Sequence, residues 1–254
     1  MTILCVPYHL DEYLPGFRFP LRVEPVTVRG NLPDANRWAR MAALHEEVAD
    51  RVADQVWAGR VPTVLSADCM VALGTTAGVQ RAGVDPAVVW FDAHGDVQTM
   101  ETSASGYEGG IPLRVLAGYR PDPATDRLGL RDIPEERLLL VDGRDLDPPE
   151  EEYLRASAVR RSKVADIGSG TLPDGPLLLH VDLDVIDAAE APGLLFPTPG
   201  GPGAEEVLAA VRTVLDTGRV TALSIGCTWR PDEELDADDG PRARLVSALV
   251  AAPD

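Results

Sequence analysis

Trp90-Phe91-Asp92-Ala93-His94-Gly95-Asp96 decides how this chain is read. It closes the apolar run Ala87-Val88-Val89-Trp90-Phe91, whose β-branched and aromatic residues suit a buried strand. The run stops at three polar groups spaced two apart, Asp92, His94 and Asp96. Alternate residues of an extended chain share a face, so these side chains can converge on one point. Two carboxylates and one imidazole are ligands that a divalent cation takes. Alone, the D-x-H-x-D pattern reads equally well as a solvated strand end.

A second stretch alters that balance. Leu177-Leu178-Leu179-His180-Val181-Asp182-Leu183-Asp184-Val185-Ile186-Asp187 is another apolar run that ends in acids, with Asp182 and Asp184 again two apart. A buried strand does not hide unpaired carboxylates, because their desolvation is prohibitive without a cation or donors. Parallel strands finish on the same edge of a sheet, so the two ends can meet. Asp92, His94, Asp96, Asp182 and Asp184 exceed what one small cation needs, so two metals are expected.

Composition limits the alternatives. The 254 residues suffice for one large α/β domain spanning 1–254. The net charge of −18, from 23 basic and 41 acidic side chains, argues against nucleic acid or an anionic membrane as partner. It suits cationic ligands, and equally it serves solubility. The 3 cysteines show no CxxC spacing, which points away from a disulfide framework and towards a reducing compartment. No signal-peptide pattern and no membrane-length apolar run is evident, so a cytoplasmic protein is expected.

In chain order, Ile3 to Pro7 reads as a strand and Leu10 to Pro33 shows no period. Trp38, Met41, Leu44, Val48, Val52 and Val56 recur at three- and four-residue steps, which predicts a helix over 36–59 closed by Gly59. His45 is read as a surface or boundary residue of that helix. A strand at 62–65 leads through Cys69 into a helix that reaches about Ala82. A further helix starts near Pro112. The strand at 138–141 precedes Asp147, an N-cap candidate for the helix opened by Pro148-Pro149-Glu150. No helix is expected at 163–176. A helix over 203–216, a strand over 220–225 and a last helix over 240–251 complete the pattern, which is α/β with a mainly parallel sheet. His180 is read as a core histidine or a residue behind the metal ligands.

The paired motifs Asp92-Ala93-His94-Gly95-Asp96 and Asp182-Leu183-Asp184-Val185-Ile186-Asp187 resemble those of the ureohydrolases, the family of arginase, agmatinase and formimidoylglutamase. The resemblance runs from about Val61 to about Gly201. It implies a three-layer α-β-α, arginase-like fold and hydrolysis of a guanidino or related C–N bond at a binuclear centre, usually Mn²⁺. One metal would take Cys69, Asp92, Asp96 and Asp182, and the other Asp92, His94, Asp182 and Asp184. The hydroxide shared by the metals would attack the substrate carbon, and Asp96 would accept or pass the proton. Gln98, Ser105 and Asp147 match substrate-binding positions. The partner implied is a small guanidino compound, and assembly into a homo-oligomer stays open.

Three departures stand out. Cys69 occupies a family histidine-ligand position, and a helix start there is expected to lower its pKa. Gly109 replaces a histidine that transfers protons. Cys227 falls nearest a glutamate that pairs with the guanidinium, with Glu233 and Glu234 as nearby substitutes. Cys69 together with Gly106-Tyr107-Glu108-Gly109-Gly110 is closest in pattern to the N-omega-hydroxy-L-arginine amidinohydrolase branch. An N-modified guanidino substrate of lower basicity is therefore expected, with a catalytically inactive binding or scaffold protein as the alternative.

Overall fold

The structure, a computed structural model, describes residues 2–17, 21, 24–168, 170–226 and 241–251. In chain order the strands are β1 (Thr2–Val6), β2 (Tyr8–His9), β3 (Glu12–Tyr13), β4 (Val26–Thr27), β5 (Pro62–Ser66), β6 (Ala87–Asp92), β7 (Leu138–Asp142), β8 (Arg160–Ser162), β9 (Leu177–Asp182) and β10 (Val220–Gly226). The helices are α1 (Arg37–Trp57), α2 (Val71–Arg81), α3 (Pro112–Leu116), α4 (Pro148–Ala156), α5 (Ala204–Leu215) and α6 (Pro241–Val250).

Eight strands form one sheet in the order β4-β1-β5-β10-β9-β6-β7-β8, and β2 and β3 make a separate antiparallel pair. Every pairing in the large sheet is parallel. Parallel strands covered by helices are buried on both faces, which explains why β6 and β9 read as continuous apolar runs rather than alternating ones. Val88 and Trp90 of β6 face α1, α2 and α3, in one core with Met41, Leu44, Leu73 and Leu113. Ala87, Val89 and Phe91 face the other way, against Val207 and Val211 of α5 and Val246 and Leu249 of α6. The expected three-layer α-β-α architecture is therefore present.

Asn36 caps α1 by accepting a hydrogen bond from the Ala39 backbone at 2.9 Å. Gly59 follows the helix at φ +70°, the left-handed position that favours glycine after a helix end. His45 departs from its surface reading. It is 2% exposed on the inner face of α1. A Cβ on Gly74 of α2 would lie 2.8 Å from the His45 carbonyl, so close approach of the two helices is what encloses the imidazole. Among the described residues, 163–176 holds only a short 3-10 turn at Val164–Asp166. No helix among the described residues is long and apolar enough to cross a membrane.

Candidate metal centre

Four adjacent central strands, β5, β10, β9 and β6, end on one edge, where ligands of open parallel sheets bind. The register pairs Trp90 with His180 and Gly226 with Asp182, so β6, β9 and β10 deliver their ends at one level. Cys69 enters from the turn after β5. The result is a cleft of about 140 Å³ lined by Cys69, Asp92, His94, Asp96, Asp182 and Asp184.

Donor atoms of Cys69, Asp92 and Asp96 lie within 4.8 Å of one another, as do those of Asp92, His94 and Asp184. Asp92 belongs to both groups. Asp182 lies outside both groups but lines the same cleft, and its Oδ2 accepts from the Cys69 thiol at 2.7 Å. His94 Nδ1 sits 2.9 Å from Asp184 Oδ2 and 3.4 Å from Asp92 Oδ1. Backbone donors hold the acids in place. The His94 N–H donates to Asp92, the Ala93 N–H to Asp184, and the Asp184 N–H to Asp182.

The electrostatics are those of crowded negative charge. Burial and the neighbouring Asp184 and Asp92 hold the Asp182 carboxyl well above its usual range. Burial and Asp92 raise Asp184 to about 7, against the pull of His94. Burial opposes a charge on His94, but hydrogen bonds to Asp184 and Asp92 outweigh it and lift the imidazole to about 12. The Cys69 expectation is corrected. Burial, followed by repulsion from Asp182, Asp96 and Asp92, pushes the thiol well above its usual value, so the helix start does not dominate.

The donor set fits divalent cations. Asp96 Oδ2 is buried without a hydrogen-bond partner, in a cleft where carboxylates repel one another. Buried polar atoms are nearly always partnered, and a cation satisfies the oxygen and neutralises the cluster together. Cys69 adds a softer ligand to a hard-oxygen set. His180, fully buried, stacks on Trp90 with ring centroids 3.7 Å apart. Its Nε2 lies 3.2 Å from Cys69 Sγ and its Nδ1 3.1 Å from Ser224 Oγ. Burial lowers its pKa to about 3, so it stays neutral behind the thiol.

Gln98, Ser105 and Asp147 line the same cleft. The Gln98 amide donates to Asp147 Oδ2 at 3.0 Å. Asp147 is also the residue before α4, so its two readings are compatible. Ser105 Oγ accepts from the Tyr107 N–H at 3.2 Å. Cys227, Glu233 and Glu234 lie outside the described residues.

Sequence reasoning passed over several contributors. Glu150 is buried and accepts from the N–H groups of Asp147 and Val97, tying the loop after Asp96 to the start of α4. Its place three residues after an N-cap acid was a legible signal. Arg144 donates to the backbone carbonyls of Asp184, Val185 and Thr198 and to the Asp142 carboxylate, fixing the loop beyond β9. Phe196 lines the cleft from that loop, with nothing in its sequence setting to announce it.

A family model for the arginase family matches residues 9–228. The chain belongs to the arginase family. Arginase of Bacillus subtilis (strain 168) is 31% identical over 194 residues, which cover 71% of this chain and 65% of that protein. Arginase of Bacillus caldovelox is 34% identical over 176 residues, or 63% of this chain and 58% of that protein. These matches span less than two thirds of the relatives' own length. The crystal structure of the Bacillus subtilis arginase superposes with a TM-score of 0.83 at 26% identity, covering 100% of this chain and 97% of that one. A formimidoylglutamase structure from the same organism, at 18% identity and a TM-score of 0.72, shares the fold.

Proposed function

We propose that this arginase-family chain hydrolyses the C–N bond of a guanidino compound carrying a modified, less basic guanidine, such as an N-hydroxyguanidine. The observation that carries this is the convergence of Cys69, Asp92, His94, Asp96, Asp182 and Asp184 in one cleft, with an Asp96 oxygen left unpaired. These six residues would hold two divalent cations, with Mn²⁺ the first candidate. When bound, the cations supply Lewis acidity and water activated at neutral pH. Asp96, beside that centre, would accept or pass the proton. Gln98, Ser105 and Asp147 hydrogen-bond the rest of the substrate and orient it.

Support for a weakly basic substrate comes from Cys227, which falls nearest the family glutamate position. A guanidinium needs a carboxylate partner in a partly dry cleft, whereas an N-hydroxyguanidine binds uncharged. A scaffold role is not favoured, since a retired site has no need of four buried carboxylates. The free Cys5 and Cys69 suit the cytoplasm. Elemental analysis followed by steady-state assays on a guanidino panel tests the reading. N-omega-hydroxy-L-arginine should give a kcat/KM well above that for L-arginine with Mn²⁺-loaded protein. Equal or greater kcat/KM for L-arginine sinks the substrate reading.

A further inference from the structure

The space beside Gly109 is already filled. A Cβ on Gly109 would collide with Cε1, Cζ and the hydroxyl of Tyr107, so the phenol ring lies over the glycine and excludes a side chain there. The ring lines the metal cleft together with Cys69, Asp96 and Asp182. It also packs against Phe196, with centroids 5.2 Å apart. Behind it, the Tyr107 hydroxyl meets His9 Nε2 at 2.9 Å, and the two rings pack edge-on.

His9 opens the other way. It lines a second recess of about 100 Å³ with Asp11, Glu12 and Arg37. The charges around the pair are accounted for. Asp68 faces His9 and Tyr107 from the turn after β5, and its carboxylate accepts from the Leu10 and Met70 N–H groups. Arg37 is engaged by Asp11 and Glu108. Burial, followed by Asp68, Cys69, Asp96 and Asp182, holds the Tyr107 phenol far above its usual value. Tyr107 therefore stays protonated, and a tyrosinate would be strongly disfavoured.

Resting on the guanidino-hydrolase reading, we propose that Tyr107 and His9 form the proton relay to the leaving nitrogen, in the space where the family histidine would otherwise stand. As the C–N bond of the hydrated guanidino carbon breaks, the nitrogen keeps the bonding pair and takes the Tyr107 hydroxyl proton. In the same step the phenol oxygen takes the Nε2 proton of His9, and His9 Nδ1 takes a proton from water in the outer recess. The phenol is restored as it donates, so no tyrosinate accumulates.

The test uses the full-length Mn²⁺-loaded protein and N-omega-hydroxy-L-arginine. Tyr107→Phe should lower kcat about 100-fold, the scale of general acid catalysis, with KM changed little. His9→Gln should lower kcat similarly, with KM changed little. The double variant should be no slower than Tyr107→Phe alone, because the two residues act as a unit. Thermal denaturation supplies a readout independent of turnover. Gly109→Ala should lower Tm in the natural chain but not in a Tyr107→Ala background, where the ring is gone. An active wild type whose Tyr107→Phe variant keeps kcat within twofold overturns the relay alone. Additive melting shifts overturn the placement of the ring. A wild type inactive on every guanidino compound overturns the hydrolase reading and the relay with it.

Discussion

Replacing His45 with leucine should flatten the response of stability to acid. His45 lies on the inner face of α1, 2% exposed, and its Nε2 is buried without a hydrogen-bond partner. Burial lowers its pKa from 6.5 to about 4. The unfolded chain thus binds a proton between those values while the folded chain does not. By linkage, the stability this residue supports is present above pH 6.5 and is lost as pH falls towards 4. From pH 7 to pH 5 the loss is about 2 kcal/mol, from 1.36 kcal/mol per pKa unit. For a chain of this size that is roughly 4–8 °C in Tm. Urea denaturation of the natural chain and of His45→Leu at both pH values measures it. The acids of the metal cleft titrate in both proteins and cancel from the difference. A pH dependence that matches within about 0.5 kcal/mol would refute the reasoning, since the imidazole would then be wet or partnered.

Asp182→Ala should cut bound Mn²⁺ to well below half of the natural stoichiometry by elemental analysis. Full retention would remove Asp182 from the ligand set. Cys69→Ala should likewise lower the bound metal by elemental analysis, and full stoichiometry in that variant would mean that the thiol is not a ligand. Arg144→Ala should destabilise the chain by roughly 3 kcal/mol or more, because it strands Asp142 and frees three buried carbonyl partners. A Tm within 2 °C of the natural value, on the order of a surface substitution, would contradict that role.

The local patterns carried most of the architecture. Apolar runs ending at Asp92 and Asp182, the three- and four-residue spacing from Trp38 to Val56, and Gly59 after the helix end each depend on neighbours in the chain, and each appears as read. His45 was legible too, four residues after Met41 on the buried stripe. Its burial depends on how closely α2 approaches through Gly74, which the spacing within α1 does not encode.

The fold class and the set of side chains able to hold metals follow from strand parity and residue chemistry, which are local properties. Which of those side chains meet, and in what state, depends on long-range packing. Placing β10 between β5 and β9 is a pair of non-local pairings, and together they set Asp182 against Cys69 and His180 behind that thiol. The same convergence buried Cys69 among carboxylates, and that desolvation overrode the helix start that was expected to lower its pKa. Tyr107 over Gly109, with His9 behind it, has the same origin. It needs the loop before α3 to fold against the β2–β3 hairpin, a contact between residues 98 positions apart that no local pattern encodes.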